Sequence, residues 1–202
     1  MRKVFQVLLA VAVSGCLAAA NAQPASAAPA DAATLDKADA LIVDKQAADV
    51  LARTPGGKRI DRLTIQLKPG VLVTLEDPAA VRKVGAEAAA AGGIADCAFY
   101  YLCMWEHSDF VGSRLAFTRC GLGVENLGTM AFPRGGAWND KVSSIMNNQS
   151  SGTWSGFYDW YVGGGWDDLK FLKAFGYWRN LGKDKADDGS HMNDRIDGVQ
   201  VC

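Results

Sequence analysis

One hexapeptide of this chain occurs twice, at matched distances from matched surroundings. Asn139-Asp140-Lys141-Val142-Ser143-Ser144 is answered near the C-terminus by Asn193-Asp194-Arg195-Ile196-Asp197-Gly198, the same opening with an altered end. Upstream of each copy runs an aromatic and acidic segment. The first is Trp105-Glu106-His107 with Phe110 and Gly112; the second is Tyr158-Asp159-Trp160 with Gly163-Gly164-Gly165. Trp105 to Gly112 and Tyr158 to Gly165 both span seven residues, and the further steps to Asn139 and Asn193 are 27 and 28. Two units of about fifty residues in register point to a duplicated supersecondary unit.

The aromatic residues place the packed part of the chain. All six Trp, all five Tyr and every Phe except Phe5 lie at residue 99 or beyond. Large rings dominate core burial, so the main core belongs to the C-terminal half. From Cys97 the texture is short apolar and aromatic runs broken by Gly, Asn, Asp and Ser, which is the pattern of strands. Expected strands are 99–105, 114–118, 142–146, 156–162, 169–175 and 198–201. With the two-fold repeat, they predict two Greek keys, about 97–150 and 151–202, packed as a β-sandwich. A formal net charge of −1 gives no electrostatic reason to expect nucleic acid or an anionic membrane as partner.

Residues 1–27 have the basic, apolar, small-residue order of a secretory signal peptide: Arg2 and Lys3, the run Val4 to Ala20, then small-residue sites ending at Ala22 and Ala27. Val13-Ser14-Gly15-Cys16 is the alternative, a lipobox-like stretch in which Cys16 would carry a lipid anchor at the cell surface. Cys97, Cys103, Cys120 and Cys202 then remain, and behind a signal peptide they are expected as two disulfides. Three connectivities are open, of which Cys97–Cys103 with Cys120–Cys202 is the expected one. Residues 28–78 are expected as a helix-plus-hairpin leader. A helix over 31–54 carries Leu35, Ala38, Leu41, Ile42, Ala48 and Leu51 at roughly helical spacing and stops at Pro55-Gly56-Gly57. Strands at 59–67 and 71–75 flank the turn Lys68-Pro69-Gly70. Residues 79–96 are Ala- and Gly-rich and are expected as a linker.

The repeated motif resembles that of the βγ-crystallin superfamily. Its aromatic corner is Tyr100-Tyr101-Leu102-Cys103-Met104-Trp105-Glu106-His107, its aromatic-x-Gly is Phe110-Val111-Gly112, and Asn139 to Ser144 matches the closing hexapeptide at every position. The second motif departs, with Gly163 where Phe110 stands and Asp197-Gly198 in place of Ser-Ser. Within that superfamily, the early Cys pair and the Trp-Glu-His corner resemble the secreted bacterial metalloproteinase inhibitors, peptidase inhibitor family 36. The resemblance implies a pair of Ca2+ sites, each drawing oxygens from both loops. Asn139, Asp140, Ser143 and the Lys141 carbonyl would serve from the first; Asn193, Asp194, Asp197 and the Arg195 carbonyl from the second. Asn-Asp followed by Ser also caps turns without metal, which is the structural alternative.

Other signals carry less. Asp184 to Gly189 imitates the start of an EF-hand, but Ala186 and Arg195 fall on ligand positions. Gly163-Gly164-Gly165 has no strand-to-helix unit for a dinucleotide, and His107 beside Glu106 lacks zinc-ligand spacing. No nucleophile has a supporting base, so no catalytic constellation emerges. The expectation is therefore a secreted, monomeric, non-enzymatic inhibitor of an extracellular metalloproteinase, its inhibitory loop unidentified because only Cys202 lies beyond Cys120. The alternatives are a calcium-binding structural or cell-surface module with no proteinase target, and a carbohydrate-binding module using Trp160 or Trp166.

Overall fold

In the computed structural model, residues 32–81, 97–121 and 123–202 are described, with side chains from residue 36 onward. The signal peptide, Cys16 and most of the expected linker lie outside these residues. Among the described residues no helix is long and apolar enough to cross a membrane.

Helix α1 (Ala32–Ala52) forms where the sequence predicts a helix. Its inner stripe is different from the expected one. Asp39, Val43, Ala47 and Val50 are buried, whereas Leu41 is 71% and Ile42 48% exposed. Positions 39, 43, 47 and 50 stack on one face, and Leu41 lies on the other. The Ala-rich helix touches the core along a stripe one residue wide, so its apolar periodicity is a weak guide. Gly56, at φ +81, then turns the chain.

The first leader strand is shorter than expected. Asp61 accepts hydrogen bonds from Leu63 N at 2.9 Å and Thr64 N at 2.8 Å, and this Asx turn interrupts the run. Strand β1 (Lys58–Arg59) therefore folds back on β2 (Thr64–Lys68), leaving Ile60 exposed. Gly70, at φ +86, makes the next turn, into β3 (Val71–Thr74).

The remaining strands are β4 (Tyr101–His107), β5 (Val111–Phe117), β6 (Val124–Asn126), β7 (Ser144–Asn148), β8 (Trp154–Tyr161), β9 (Gly165–Lys173), β10 (Tyr177–Trp178) and β11 (Gly198–Gln200). They form two antiparallel sheets, in the orders β1-β2-β3-β5-β4-β7-β10 and β6-β11-β8-β9. Each Greek key lends its third strand to the other's sheet: β6 pairs with β11, and β10 with β7. This exchange interlocks the motifs around one core, in which Phe157, Trp138, Leu127 and Leu181 are fully buried. Phe132 meets Trp138 edge-on at 5.0 Å, and Phe157 meets Trp178 at 5.4 Å. The all-β, βγ-crystallin-like sandwich behind a small helix and hairpin is the architecture the sequence predicts. The loaned strands β6 and β10 were not predicted, being only three and two residues long.

The leader is joined to this sandwich through both backbone and side chains. All four residues of β3 pair with β5, from Val71 opposite Phe117 to Thr74 opposite Arg114. Val43, Val50, Ile65, Leu67, Val71, Val73 and Leu75 share the cluster of Leu115 and Phe117. Arg53, just past the end of α1, donates to the carbonyls of Phe132, at 2.6 Å, and Gly136. Arg134 reaches Glu76 at 3.2 Å and Glu106 at 2.5 Å. Asp31 to Cys202 thus form one compact unit, and the expected boundary at residue 78 crosses a continuous sheet. Two disulfides, Cys97–Cys103 and Cys120–Cys202, close the chain in the expected pairing.

Candidate functional site

The two hexapeptides sit in equivalent places. Ser143 N donates to Trp105 O and Asp197 N to Tyr158 O, each at 2.9 Å. Leu181 N donates to Ser143 O at 2.9 Å, and Leu127 N to Asp197 O at 2.8 Å. Asp140 and Asp194 both adopt left-handed backbone, at φ 57 and 55. The sequence carries a further sign of this symmetry. Asn126-Leu127-Gly128 and Asn180-Leu181-Gly182 each precede their Asn-Asp by 13 residues (126 to 139, 180 to 193). Each Asn side chain accepts from the Gly two residues on, at 2.7 and 3.0 Å.

The altered end of the second copy has a structural consequence. In the first motif, fully buried Ser144 ties the β4–β5 corner, accepting from Phe110 N at 3.0 Å and donating to His107 O at 2.6 Å. Gly198 replaces that Ser because a Cβ there would stand 2.6 Å from Val124 and 2.7 Å from the Trp166 ring. The tie moves back one residue, to Asp197, whose carboxylate accepts from Trp160 N at 3.0 Å. Ser144→Ala would leave both corner groups unpaired, and a loss of about 2 kcal/mol is expected. An unchanged denaturant midpoint would show that the hydroxyl contributes nothing.

Asp197 brings negative charge with it. Its Oδ1 is buried without a hydrogen-bond partner. Burial first, opposed by the Trp160 N–H, and then the Asp140 and Asp159 carboxylates hold its carboxyl above the ordinary value. Asp140 is likewise raised, by burial and then by Asp159 and Asp194, against the Asn139 amide and Lys141. Asn139 and Asp197 line one shallow cleft with Asn126, Gly128, Trp160 and Trp166. Ser143 is placed at the Trp105 and Leu181 backbone, and Asn193 donates to neighbouring Asp194 at 2.6 Å. Arg195 bonds Asp159 at 2.9 Å. Among the described residues no three His, Cys, Asp or Glu side chains converge as a metal centre by themselves.

A raised carboxyl stabilises the fold when protonated. That contribution is full below the ordinary value of 3.8 and is lost as pH climbs through the raised one. Asp197→Asn removes the charge, keeps an acceptor for Trp160 N and adds a donor toward Asp159. In chelator at neutral pH it is expected to raise the melting temperature by a few degrees, with no gain at low pH. A lowered neutral-pH melting temperature would contradict this.

A second surface surrounds Phe175, in the turn between β9 and β10. Phe175 is 57% exposed at φ 63, an unusual backbone for a bulky residue. Its N–H donates to Asn147 O at 2.6 Å, Gly176 N to Lys173 O at 3.0 Å, Ala174 N to Thr153 O and Asn147 N to Gly176 O, both at 2.9 Å. Asn147 is itself fully buried and donates to Leu172 O at 2.8 Å. Phe99 stacks on Phe175 with ring centroids 6.2 Å apart, and Phe99 and Tyr100 are both more than half exposed. The result is an aromatic turn held out from the sheet by its own backbone. Its only local sequence signal is the following Gly176.

The described residues thus form an interleaved double Greek key with its two hexapeptides in equivalent places. Residues 90–169 match the model of peptidase inhibitor family I36, so the resemblance seen in the repeated motif holds for that stretch. A solved structure described as "Evolution of the eye lens beta-gamma-crystallin domain fold" is similar at 15% identity and a TM-score of 0.37. That match covers 55% of this chain and 93% of that chain. No curated protein matches the chain.

Proposed function

We propose that this protein is a secreted, non-enzymatic inhibitor of an extracellular metalloproteinase, and that the Phe175 turn enters the enzyme's cleft. The observation that carries the reading is that turn: an exposed ring on a left-handed residue, fixed by hydrogen bonds to buried Asn147 and its neighbours. A loop already ordered before docking loses little entropy on binding, so more of its contact energy appears as affinity. Backbone hydrogen bonds brace this loop, which has no Cys of its own. Phe99 and Tyr100 extend the apolar contact beside the turn.

The loops also suit a hard divalent cation. The buried, unpartnered Asp197 oxygen and the carboxyls of Asp140 and Asp197, each raised chiefly by burial and then by neighbouring carboxylates, call for positive charge. In this reading Asn139, Asp140, Ser143 and the Lys141 carbonyl would hold Ca2+ from the first loop. Asn193, Asp194, Asp197 and the Arg195 carbonyl would serve from the second. The ion would neutralise the carboxylates and fix both loops. Calcium is then expected to raise the melting temperature of the native chain by mass action, and Asp197→Asn to blunt that rise. Melting curves indifferent to calcium and chelator would leave the loops as turn-forming structure. A carbohydrate platform is less well supported: Trp160 and Trp166 meet at 72°, so they offer no single flat surface.

A further inference from the structure

A second aromatic residue is held out on left-handed backbone beside Phe175. Tyr100 lies at φ 73 and is 59% exposed. For a bulky ring such a backbone has to be imposed by its surroundings. One strand imposes both. Asn147 O accepts from Phe175 N at 2.6 Å, and the next carbonyl, Asn148 O, accepts from Tyr100 N at 2.8 Å. The Asn148 side chain also donates to Cys97 O at 2.8 Å, and Tyr101 N to Ala98 O at 3.1 Å. The Cys97–Cys103 disulfide, with a sequence separation of 6, closes the short loop that carries Phe99 and Tyr100. Phe99 meets both neighbours: its ring centroid is 4.1 Å from that of Tyr100 and 6.2 Å from that of Phe175, parallel to the latter within 4°. This end of the sandwich is therefore two separately braced loops that share one row of rings.

Charge is partitioned here as well. Segments 97–105, 142–158 and 169–178 meet at this end and contain Lys170 and Lys173 but no Asp or Glu, although the chain has 22 acidic residues against 21 basic ones. Lys170 donates to Lys185 O. Lys173 is exposed, two residues ahead of Phe175 and opposite Trp154 across the ladder.

We propose that the Cys97–Cys103 loop is the second half of the inhibitory surface, with Tyr100 anchored in the cleft beside Phe175 and Lys173 facing carboxylates on the cleft's rim. This rests on the inhibitor reading and names the partner it requires: a metalloproteinase whose cleft has an apolar floor and an acidic rim. Both loops are ordered before docking, so neither loses much entropy on binding. The division of labour follows from the chemistry of each group. An aromatic anchor buried at the centre of an interface governs how long the complex lasts. A charge at the rim acts chiefly on the rate of encounter, and no carboxylate in the three segments opposes its attraction to acid.

The test takes the enzyme most strongly inhibited in a panel of secreted metalloproteinases and reads association and dissociation rates from progress curves at low and high salt. Tyr100→Gly removes the ring and suits a φ of 73. It is expected to weaken inhibition by about tenfold through faster dissociation, with cooperative melting retained. Lys173→Glu is expected to slow association by about tenfold at low salt and to abolish its fall with rising salt, leaving dissociation little changed. Lys37→Glu, the same charge change at an exposed position of α1, should do neither. If Tyr100→Gly does not melt cooperatively, Tyr100→Asn, which tolerates the same backbone, carries the comparison. No inhibition by the native protein would sink the inhibitor reading and this inference together. Native inhibition left unchanged by either Tyr100→Gly or Lys173→Glu would overturn this inference alone. Unchanged inhibition by Tyr100→Gly together with lost cosedimentation on phosphatidylserine vesicles would assign the ring to a lipid surface instead.

Discussion

Removal of residues 32–75 is expected to abolish cooperative melting of the remaining chain. The sequence sets this leader apart, because a helix and a hairpin without aromatic residues make a thin core. The sheet shows where the missing core is: the leader borrows it. Strand β3 supplies the ladder partner of all of Arg114 to Phe117. Seven leader side chains (Val43, Val50, Ile65, Leu67, Val71, Val73 and Leu75) share the main cluster. At about 1.5–3 kcal/mol for each buried aliphatic side chain, their loss matches or exceeds the 5–15 kcal/mol by which domains are usually stable. It would also open β5 as an unpaired edge with Leu115 and Phe117 uncovered. The product is expected to show a broad, non-cooperative melt and to aggregate. A sharp transition from residues 97–202 alone would show that the leader is an accessory.

Loss of the Cys120–Cys202 disulfide should be the next most damaging change. That bridge spans a sequence separation of 82, against 6 for Cys97–Cys103. In the chain-entropy model the long closure contributes on the order of 4 kcal/mol and the short one about 2. It also fixes the C-terminus just beyond β11, the central strand that joins β6 to β8. Cys120→Ser/Cys202→Ser is expected to lower the melting temperature by about 10 °C, roughly twice the effect of Cys97→Ser/Cys103→Ser. The reverse order would place the stabilisation in the small cluster of Cys97, Cys103, Trp105 and Phe110 instead of in chain closure.

What the sequence discloses follows from where the constraint is local. The repeat, the fold class and the strands of both hairpins are legible because turns and corners demand particular residues, such as Gly112 at φ +88. The loaned strands β6 and β10 are not, since runs of three and two residues become strands only through the partners beside them. The leader's attachment is equally silent, because backbone pairing of β3 with β5 needs no special side chain. Of the candidate site, the sequence shows that Asp197 puts a carboxylate where the first motif has the Ser143 hydroxyl. Its hydrogen bond to Trp160 N is not legible there, and through it the second corner is tied although Gly198 carries no hydroxyl. The Phe175 turn is not legible locally, because its geometry is imposed by buried Asn147, 28 residues earlier (175 − 147).

The most direct measurement is a titration of the native protein and of Phe175→Gly against a panel of secreted metalloproteinases, with calcium and with the protein pre-equilibrated in chelator. Glycine removes the ring yet suits a φ of 63, so the turn itself should survive. The account predicts saturable inhibition of at least one enzyme by the native protein, and its loss in Phe175→Gly with the melting temperature held or raised. No inhibition by folded protein across the panel, or full inhibition by Phe175→Gly, would contradict it.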